Sequence, residues 1–433
     1  MSPVVIGFIG FLLLFVLLAS GMSIGFAMAL IGFLGMCILF SVPVAIAKMA
    51  MTSYHAASDY SLAVLPLFLV MAHVVFQCGF GDELFRVAEK WVGRLRGGLA
   101  MATIGACSAF GAVSGSSLAT AATVGLIALP EMKKKGYKDG FSAGAVAAGG
   151  TMGALTPPSG MLIIYGVLTE TSIGKLFAAA IVPAVITALG YLLTIYIMCL
   201  IHPEYGPPAQ KVKLKEKIVS LKDCWEVFAL VFFCIGGIIF GWFTPTEAGG
   251  AGAGGAILLG VARRKLTWAK LRTAFSDAMT TAGMIYGIMI GAFIFNYFVA
   301  KTNLPQAVGE WVVGLHAPPM MVVAIIAVIY ILLATIMEGP SIQLLTLPIF
   351  FPLLIGLGFD PVWFGIIQVR LLELGLIVPP LGMCMFVVAG LDKEIPLTTV
   401  FRGCLSFLAM DIVTMPIFMW VPQTALWLPS VMK

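Results

Sequence analysis

The stretch Gly153-Ala-Leu-Thr156-Pro157-Pro158-Ser-Gly160-Met161 is repeated as Gly375-Leu-Ile-Val378-Pro379-Pro380-Leu-Gly382-Met383, and both copies lie in apolar sequence. Each element of the second copy lies 222 residues after its counterpart in the first. Proline has no N–H group and interrupts a helix. A membrane helix broken at the same place in two halves of a duplicated chain marks a binding site near the middle of the bilayer. The two breaks therefore predict both an architecture and the position of its site.

The composition of the chain is that of a polytopic membrane protein. Of its 433 residues 61% are hydrophobic and only 10% are charged, and the mean hydropathy is +1.06. A soluble domain normally carries about 25% charged residues, and a helix needs about 20 apolar residues to cross a bilayer. The apolar segments that predict spans or half-spans are residues 4–20, 24–43, 61–78, 138–155, 158–168, 176–201, 224–243, 245–262, 280–300, 318–337, 361–378, 380–391 and 401–427.

Charge and cysteine patterns exclude several other classes of protein. Basic residues cluster at 133–135, 211–222 and 263–265, which predicts cytoplasmic loops under the positive-inside rule. We interpret these clusters as solvated loops without a nucleic-acid role. The eight cysteines form no C-x-x-C pair, and the four histidines have no ligand spacing, so neither a disulfide framework nor a metal centre is predicted. The apolar N-terminus lacks a basic region and a cleavage site, and therefore predicts a span rather than a signal peptide.

The repeat extends beyond the breaks and indicates two halves of opposite orientation. Residues 130–137 align with 352–359 at the same offset, and Glu89 precedes Trp91 much as Glu310 precedes Trp311. Loops of the first half are basic whereas their counterparts are neutral or acidic, as an inverted-topology repeat predicts. The glycine-rich stretch 248–256 favours close helix packing over a phosphate-binding loop. Residues 82–96 and 267–277 mix charged and apolar positions at helical spacing and predict interfacial helices.

The breaks themselves suggest a cation site. Prolines 157 and 158 deprive the carbonyls of Gly153 and Ala154 of helical donors, and the second break does the same for Gly375 and Leu376. In lipid such oxygens persist only where they line a cavity or meet an ion. They suit Na⁺, with Thr156 adding a hydroxyl that Val378 lacks. The helix that restarts after the break offers N–H groups to a substrate carboxylate. The alternative is a pair of proline kinks without a site.

A second feature is the run of small hydroxyl residues from Gly111 to Thr123, within an apolar segment of residues 101–129. A polar, glycine-containing middle predicts a re-entrant helical hairpin whose tip is surrounded by protein or water. Its counterpart is the break at residues 334–341. Alternatively the run is a helix-packing surface.

Few charges lie within apolar sequence, and each is a candidate for function. Arg370 and Glu373 stand at i and i+3, which favours a structural pair over direct contact of Arg370 with substrate. Glu338, at the predicted second hairpin tip, either lines the site or caps the break. The remaining intramembrane candidates are Asp59, Glu247 and Asp411.

In this order and spacing the motifs resemble those of one family, the large membrane subunit (the M, or DctM-like, component) of tripartite ATP-independent periplasmic (TRAP) transporters. The resemblance covers essentially the whole chain. The motifs that carry it are Ser114-Gly-Ser-Ser117, Gly136-Tyr137, Gly153-x-x-x-Pro157-Pro158-Ser159, Glu373-Leu-Gly375-x-x-x-Pro379-Pro380-x-Gly382 and Pro422-x-x-x-x-Trp427-Leu428-Pro429.

The resemblance implies an all-α polytopic membrane protein: an inverted-repeat elevator transporter with two re-entrant hairpins and two Pro-Pro broken helices. It also implies Na⁺ coupling, a small membrane subunit (Q) and a periplasmic substrate-binding protein (P). The expected domains are first scaffold helices and arm (1–98), first half of the transport domain (99–203), cytoplasmic linker (204–223), second scaffold helices and arm (224–316), second half of the transport domain (317–400) and a C-terminal helix (401–433).

Carried onto this chain, the resemblance implies specific site residues. A first Na⁺ ion is expected at Gly111, Ser114, Gly153, Thr156 and Pro157. A second is expected at Ala334, Gly375, Val378 and Leu381, although relatives usually carry Gly in place of Ala334 and Thr in place of Val378. Loss of that hydroxyl predicts a second site that is weaker or completed by other atoms. The substrate is expected to contact Ser116, Ser117, Pro158, Ser159, Glu338, Gly339 and Pro380.

We therefore expect a non-enzymatic, Na⁺-driven permease subunit of the bacterial inner membrane that imports a carboxylate, such as a C4-dicarboxylate or a sialic acid. One alternative is a stand-alone Na⁺/dicarboxylate symporter of related architecture that needs no binding protein. A remote alternative is a membrane scaffold that transports nothing. The sequence does not distinguish among organic acids, because main-chain features would serve all of them.

Overall fold

The computed structural model describes residues 2–208, 213–314, 317–379 and 381–432. The predicted substrate residue Pro380 and the start of the basic cluster 211–222 lie outside these ranges. Within them the chain is helical with no strand, and six helices or helix pairs are long and apolar enough to cross a membrane. The predicted fold class, an all-α polytopic protein with two hairpins and two broken helices, is confirmed.

The first half of the described chain contains eleven α-helices. Their order follows the predicted spans closely, with one unpredicted helix, α3, between the second and third. The bounds are α1 Pro3–Ala19, α2 Ile24–Leu39, α3 Val42–Ser58, α4 Val64–Gln77, α5 Phe80–Val92, α6 Gly98–Ser114, α7 Ser117–Lys134, α8 Asp139–Gly150, α9 Met152–Leu155, α10 Gly160–Leu168 and α11 Ile173–Ile201, with 3-10 turns at Tyr60–Ala63 and Pro203–Tyr205.

The linker and second half contribute the remaining helices that the structure describes. Their bounds are α12 Leu214–Ser220, α13 Trp225–Val231, α14 Gly237–Ile239, α15 Pro245–Ala262, α16 Trp268–Lys301, α17 Leu304–Gly314, α18 Pro319–Ile336, α19 Gly339–Gly356, α20 Pro361–Gly375, α21 Met383–Leu391, α22 Leu397–Trp420 and α23 Gln423–Val431, with a 3-10 turn at Leu221–Asp223 and a π-helical turn at Phe232–Gly236.

The helices of the two halves correspond at the sequence offset of 222. The hairpin α6–α7 matches α18–α19, the broken helix α8–α9–α10 matches α20–α21, and the long helix α11 matches α22. The amphipathic helix α5 matches α17. The prediction of a separate interfacial helix at 267–277 is wrong, because that stretch is the start of the 34-residue helix α16. Its counterpart in the first half is broken into α3 and α4, where Asp59 caps a 3-10 turn by accepting from Ser61 N–H.

Small residues hold the two halves together. Helix α2 of the first half packs against α16 of the second, and α15 of the second packs against α4 of the first. Where α2 crosses α16, Gly25 and Gly291 meet backbone to backbone, and a methyl group on either would collide with the other helix. Gly249 and Gly252 of α15 instead pack against side chains of α4: a Cβ atom on Gly249 would lie 3.1 Å from Leu67 Cβ, and one on Gly252 would lie 2.7 Å from Met71 Sδ. The interpretation of residues 248–256 as a packing surface is therefore confirmed.

Candidate functional site

The first hairpin ends in a tight polar turn. Helix α6 stops at Ser114, Gly115 adopts a left-handed conformation with φ of 59°, and α7 begins at Ser117. A side chain at Gly115 would be strained there, so glycine is needed for the reversal. The Ser114 and Thr120 hydroxyl oxygens lie 2.7 Å apart, and the Ser114 oxygen also accepts from Ser116 N–H at 3.4 Å. The predicted re-entrant hairpin is thus present, with hydroxyl groups gathered at its tip.

The first Pro-Pro break leaves main-chain oxygens without donors. Helix α9 ends at Leu155, and α10 resumes at Gly160, where the Ser159 side chain accepts from Leu162 N–H at 3.4 Å. Thr156 N–H still donates to Met152 O at 2.9 Å. The next two carbonyls, those of Gly153 and Ala154, accept no hydrogen bond from any described residue. Unpaired buried carbonyls are rare in proteins and require an explanation.

The hairpin tip and the first break lie against each other. A Cβ atom on Gly111 would be 2.8 Å from Gly153 Cα, and one on Gly153 would be 2.5 Å from Ser116 O and 2.7 Å from Thr120 Oγ1. Only glycines permit this approach. The Oγ1 atom of Thr156, a residue of the same break, is buried and has no hydrogen-bond partner among the described residues. The structure therefore brings together Gly111, Ser114 and Gly153, three of the residues predicted for the first Na⁺ ion, and adds Thr120. Thr156 and Pro157 lie in the same break, and the Na⁺ site itself stays a prediction.

The oxygen atoms of this cluster are suitable ligands for a hard cation. Every candidate atom is a hydroxyl or carbonyl oxygen, the ligand type that Na⁺ shares with other hard cations. The orphaned Thr156 hydroxyl and the two unpaired carbonyls are atoms that a bound ion would satisfy. The sequence pointed to Thr120 only through its place in the hydroxyl-rich run.

The second break differs from the first, and the expectation of free carbonyls there is wrong. Gly375 O accepts from Val378 N–H at 3.3 Å, and Leu376 O accepts from Cys384 N–H at 3.2 Å. The positive φ of Gly382, 56°, turns the chain so that the first turn of α21 reaches back to Leu376. Both carbonyls are therefore satisfied within the protein, that of Gly375 by the turn directly after it and that of Leu376 by α21.

The remaining residues predicted for the second ion are only partly assembled. Gly375 packs so closely on Ala334 that a Cβ atom on Gly375 would overlap the alanine methyl group. This contact mirrors that of Gly111 with Gly153. Val378 supplies no side-chain oxygen, and the Leu381 side chain is 41% exposed.

The second hairpin presents an acidic side chain to the interior. Helix α18 ends at Ile336 and α19 begins at Gly339, with Glu338 at the N-cap position. The Glu338 side chain caps no N–H group of α19, and it lines a cavity shared with the first hairpin. Of the two roles left open for Glu338, lining the site is the one that the geometry supports.

A cavity of about 190 Å³ lies between the two hairpin tips and the first break. Its lining is mainly apolar, and it receives helix starts from three directions, at Ser117, Gly160 and Gly339. Helix starts carry unpaired N–H groups and favour anions. The predicted substrate residues that line it are Ser116, Ser117, Pro158, Glu338 and Gly339; Ser159 is buried behind it as the cap of α10.

The opposite wall of the cavity was not predicted. It consists of Leu65, Phe68 and Leu69 on α4 and of Thr281 and Met284 on α16, two helices that lie in the predicted scaffold segments. No motif distinguishes these residues from other apolar helix positions, so only the packing reveals them.

Two buried charged groups have partners other than those predicted. Arg370 does not pair with Glu373: its guanidinium contacts Asp411 on α22 and lies 3.2 Å from the Tyr191 hydroxyl of α11. Glu373 instead accepts from the Ser117 hydroxyl at 2.5 Å. The i, i+3 rule fails here because each side chain meets a closer partner from another helix. Arg370 is fully buried and does not line the cavity, so a structural role for it stands.

A surface ion pair links the end of the first hairpin that lies farthest from its tip to the loop between α21 and α22. Lys133, in the last turn of α7, lies 3.1 Å from Asp392 and 2.7 Å from Glu394 in the loop between α21 and α22. Hydrogen bonds to Glu394 and then to Asp392 raise the pKa of Lys133. The backbone N–H of Glu394, followed by Lys133, lowers the pKa of Asp392.

Residues 11–424 match the family described as the tripartite ATP-independent periplasmic transporter, DctM component. The chain is 34% identical over 394 residues to the C4-dicarboxylate TRAP transporter large permease protein DctM of Pseudomonas aeruginosa, with 91% of each chain covered. It is 30% identical over 415 residues to the sialic acid TRAP transporter large permease protein SiaM of Vibrio cholerae, with 96% of each covered. The fold is similar to that of the Alcanivorax borkumensis YdaH transporter, with a TM-score of 0.65 at 14% identity over 88% of each chain.

Proposed function

Because the chain belongs to the DctM family of TRAP transporter large permease subunits, we propose that it imports an organic acid together with Na⁺. Members of this family are transporters rather than enzymes, as the sequence led us to expect. The single observation that supports Na⁺ as the coupling ion is the cluster at the first break. There Gly153 packs against the first hairpin, and the same break carries the buried Thr156 hydroxyl and the unpaired Gly153 and Ala154 carbonyls.

The proposed substrate is a carboxylate held in the neighbouring cavity. The two relatives named above are designated for C4-dicarboxylates and for sialic acid, and both kinds of compound carry a carboxylate. The helix starts at Gly160 and Gly339 would bind that group through their N–H groups. Ser116 would donate a hydroxyl hydrogen bond from the third helix start, where the hydroxyl of Ser117 already donates to Glu373.

Transport would follow from movement of the hairpin domain against the scaffold. The cavity has one wall of hairpin tips and another of scaffold helices α4 and α16, so sliding between these walls would carry the bound molecule. The interlocked packing of α2 with α16 and of α15 with α4 would keep the scaffold fixed during this movement. We propose that the protein works in the bacterial inner membrane with a small membrane subunit and a periplasmic substrate-binding protein.

Reconstitution tests this proposal. The chain and its small membrane subunit are placed in liposomes, and uptake of labelled C4-dicarboxylates and sialic acid is measured with the cognate binding protein outside. An inward Na⁺ gradient should drive accumulation of one of these acids, and an equal K⁺ gradient should not. Accumulation that is indifferent to Na⁺ would overturn the coupling proposal.

The same liposomes address the alternative of a stand-alone symporter. If the chain needs the binding protein, omitting it should abolish uptake at every substrate concentration. Full uptake by the permease chain alone would favour the stand-alone symporter instead.

A further inference from the structure

We propose that Glu373 is a positioning residue that couples the proposed cation site at the first break to the predicted one at the second break, by holding the first hairpin against helix α20. This inference rests on the proposed Na⁺ coupling and goes beyond it, because it assigns a role to a side chain that is not among the predicted ion ligands.

A single hydroxyl group joins three separate segments around the cavity. The Ser117 Oγ atom, at the start of α7, donates to Glu373 Oε2 on α20 at 2.5 Å. The same oxygen accepts from Ala154 N–H of α9 at 3.2 Å. Ser117 and Glu373 are 5% and 3% exposed, so water competes little for either bond. The contact therefore ties the first hairpin and the first break to the helix that leads into the second break.

The two ends of this contact adjoin the cluster at the first break and the residues predicted for the second ion. Ser117 follows Ser116, whose carbonyl faces Gly153 in the first cluster. Glu373 stands two residues before Gly375, which packs on Ala334 of the second hairpin. A shift of the first hairpin when an ion binds would thus be transmitted to α20. In the same way, a shift of α20 would move the hairpin. Coupling of binding free energies between two sites is reciprocal in this way.

Other roles for Glu373 find less support. It forms no ion pair within 4.0 Å with any described lysine, arginine or histidine, because the neighbouring Arg370 is taken by Asp411 and Tyr191. A buried carboxyl group without a basic partner is costly to retain. Its hydrogen bond to Ser117 is the one described contact that offsets this cost.

The test is the Na⁺ dependence of uptake by the reconstituted complex, at saturating substrate, for the wild type, Glu373→Gln, Glu373→Leu, Ser117→Ala and the Ser117→Ala/Glu373→Leu double variant. Coupled sites predict a sigmoidal wild-type curve. Glu373→Leu and Ser117→Ala should each raise the half-saturating Na⁺ concentration up to about tenfold, as loss of a buried hydrogen bond implies, and should lower the Hill coefficient toward 1. The double variant should be no worse than the poorer single variant.

Two comparisons separate positioning from a general loss of structure. Glu373→Gln keeps an acceptor oxygen and should retain most of the sigmoidal response. Gln368→Met, one turn earlier on α20, breaks the buried bonds of Gln368 with Gln343 and Tyr330 and should leave the Hill coefficient unchanged. The substrate KM at saturating Na⁺ should change less than the Na⁺ requirement in Glu373→Leu.

The outcomes distinguish this inference from the proposed function. If the wild type does not respond to Na⁺, the proposed function fails. If it responds with a hyperbolic curve, or if Glu373→Leu and Ser117→Ala keep the wild-type Hill coefficient, the coupling role fails while Na⁺-driven transport stands. An equal loss of cooperativity in Gln368→Met would also overturn it. Should Glu373→Leu fail to insert, Ser117→Ala provides the same test from the other side of the contact.

Discussion

The two Pro-Pro breaks share a motif but use their main-chain oxygens differently. In the first, the Gly153 and Ala154 carbonyls accept no hydrogen bond from described residues. In the second, the corresponding carbonyls of Gly375 and Leu376 are both hydrogen-bonded. A repeated motif therefore determines where each helix stops, but the surrounding residues determine whether the freed oxygens remain available to an ion.

The residues that follow each break account for the difference. After the first, Ser159 caps α10 and the chain proceeds directly into the new helix. After the second, Gly382 in a left-handed conformation folds α21 back toward Leu376. The first break also carries the buried Thr156 hydroxyl, where the second has Val378. We therefore expect the first site to dominate the Na⁺ requirement.

The largest effect is expected from Gly153→Ala. The added methyl group would lie 2.5 Å from Ser116 O and 2.7 Å from Thr120 Oγ1, and would push the hairpin tip away from the break. Overpacking of this kind costs about 1–3 kcal/mol, so uptake should fall about 10- to 100-fold with membrane insertion intact. Gly254→Ala, where a methyl group meets nothing within 4 Å, is the matched control for uptake. Near-normal uptake by Gly153→Ala would mean that the hairpin and break need not touch.

Thr156→Val should have the next largest effect. It removes the orphaned hydroxyl while keeping the shape of the side chain, so the half-saturating Na⁺ concentration should rise about tenfold, corresponding to about 1.4 kcal/mol. Thr156→Ser retains the oxygen and should stay close to wild type. An identical Na⁺ dependence in Thr156→Val would remove this residue from the first site.

A smaller change, in the opposite direction, is expected from Val378→Thr. This substitution gives the second break the hydroxyl that the first one has, and should lower the Na⁺ requirement about two- to fivefold, or roughly 0.5–1 kcal/mol. Val378→Ala, which changes size without adding oxygen, serves as the control. A silent Val378→Thr variant would indicate that the second site is completed by other atoms.

The smallest effect is expected from breaking the ion pair that Lys133 makes at the end of the first hairpin. The corresponding position of the second hairpin, 222 residues later, is the neutral Ile355. The lowered pKa of Asp392 means that its stabilising contribution is complete above its ordinary value of 3.8 and is lost as the pH falls through the lowered value. The raised pKa of Lys133 means that its contribution is complete below its ordinary value of 10.5 and is lost as the pH rises through the raised value. Lys133→Met should lower the Tm by no more than about 2 °C at pH 7.

Thermal unfolding in detergent at pH 5, 7 and 9 measures this contribution. The difference between wild type and Lys133→Met should be constant over these three values, because both groups keep their charges throughout. A difference that disappears at pH 5 would contradict the lowered pKa of Asp392.

The sequence predicted the fold further than it predicted the site. Proline pairs and glycine-hydroxyl runs act through local backbone chemistry, so the breaks and the first hairpin appeared where expected. The continuity of α16 was not predictable, because the mixed composition of residues 267–277 fits an interfacial helix as well as the beginning of a long one. The partners of Arg370 and Glu373 come from residues 41 and 256 positions away, and no local spacing rule reaches that far. The hydrogen bond that satisfies the Leu376 carbonyl depends on the φ angle of Gly382, which is likewise set by tertiary packing.

The cavity also has a consequence for the order of events in a transport cycle. Two carboxyl side chains, Glu338 and Glu373, line it, and within the described ranges no lysine, arginine or histidine does. Whichever of them is ionised repels an incoming carboxylate, and without a basic side chain only helix starts and bound cations can compensate. The affinity of the cavity for a carboxylate substrate would then be low without bound Na⁺ and higher once Na⁺ is bound. The acidic lining would thus impose an order of binding in which the Na⁺ ions bind before the organic acid.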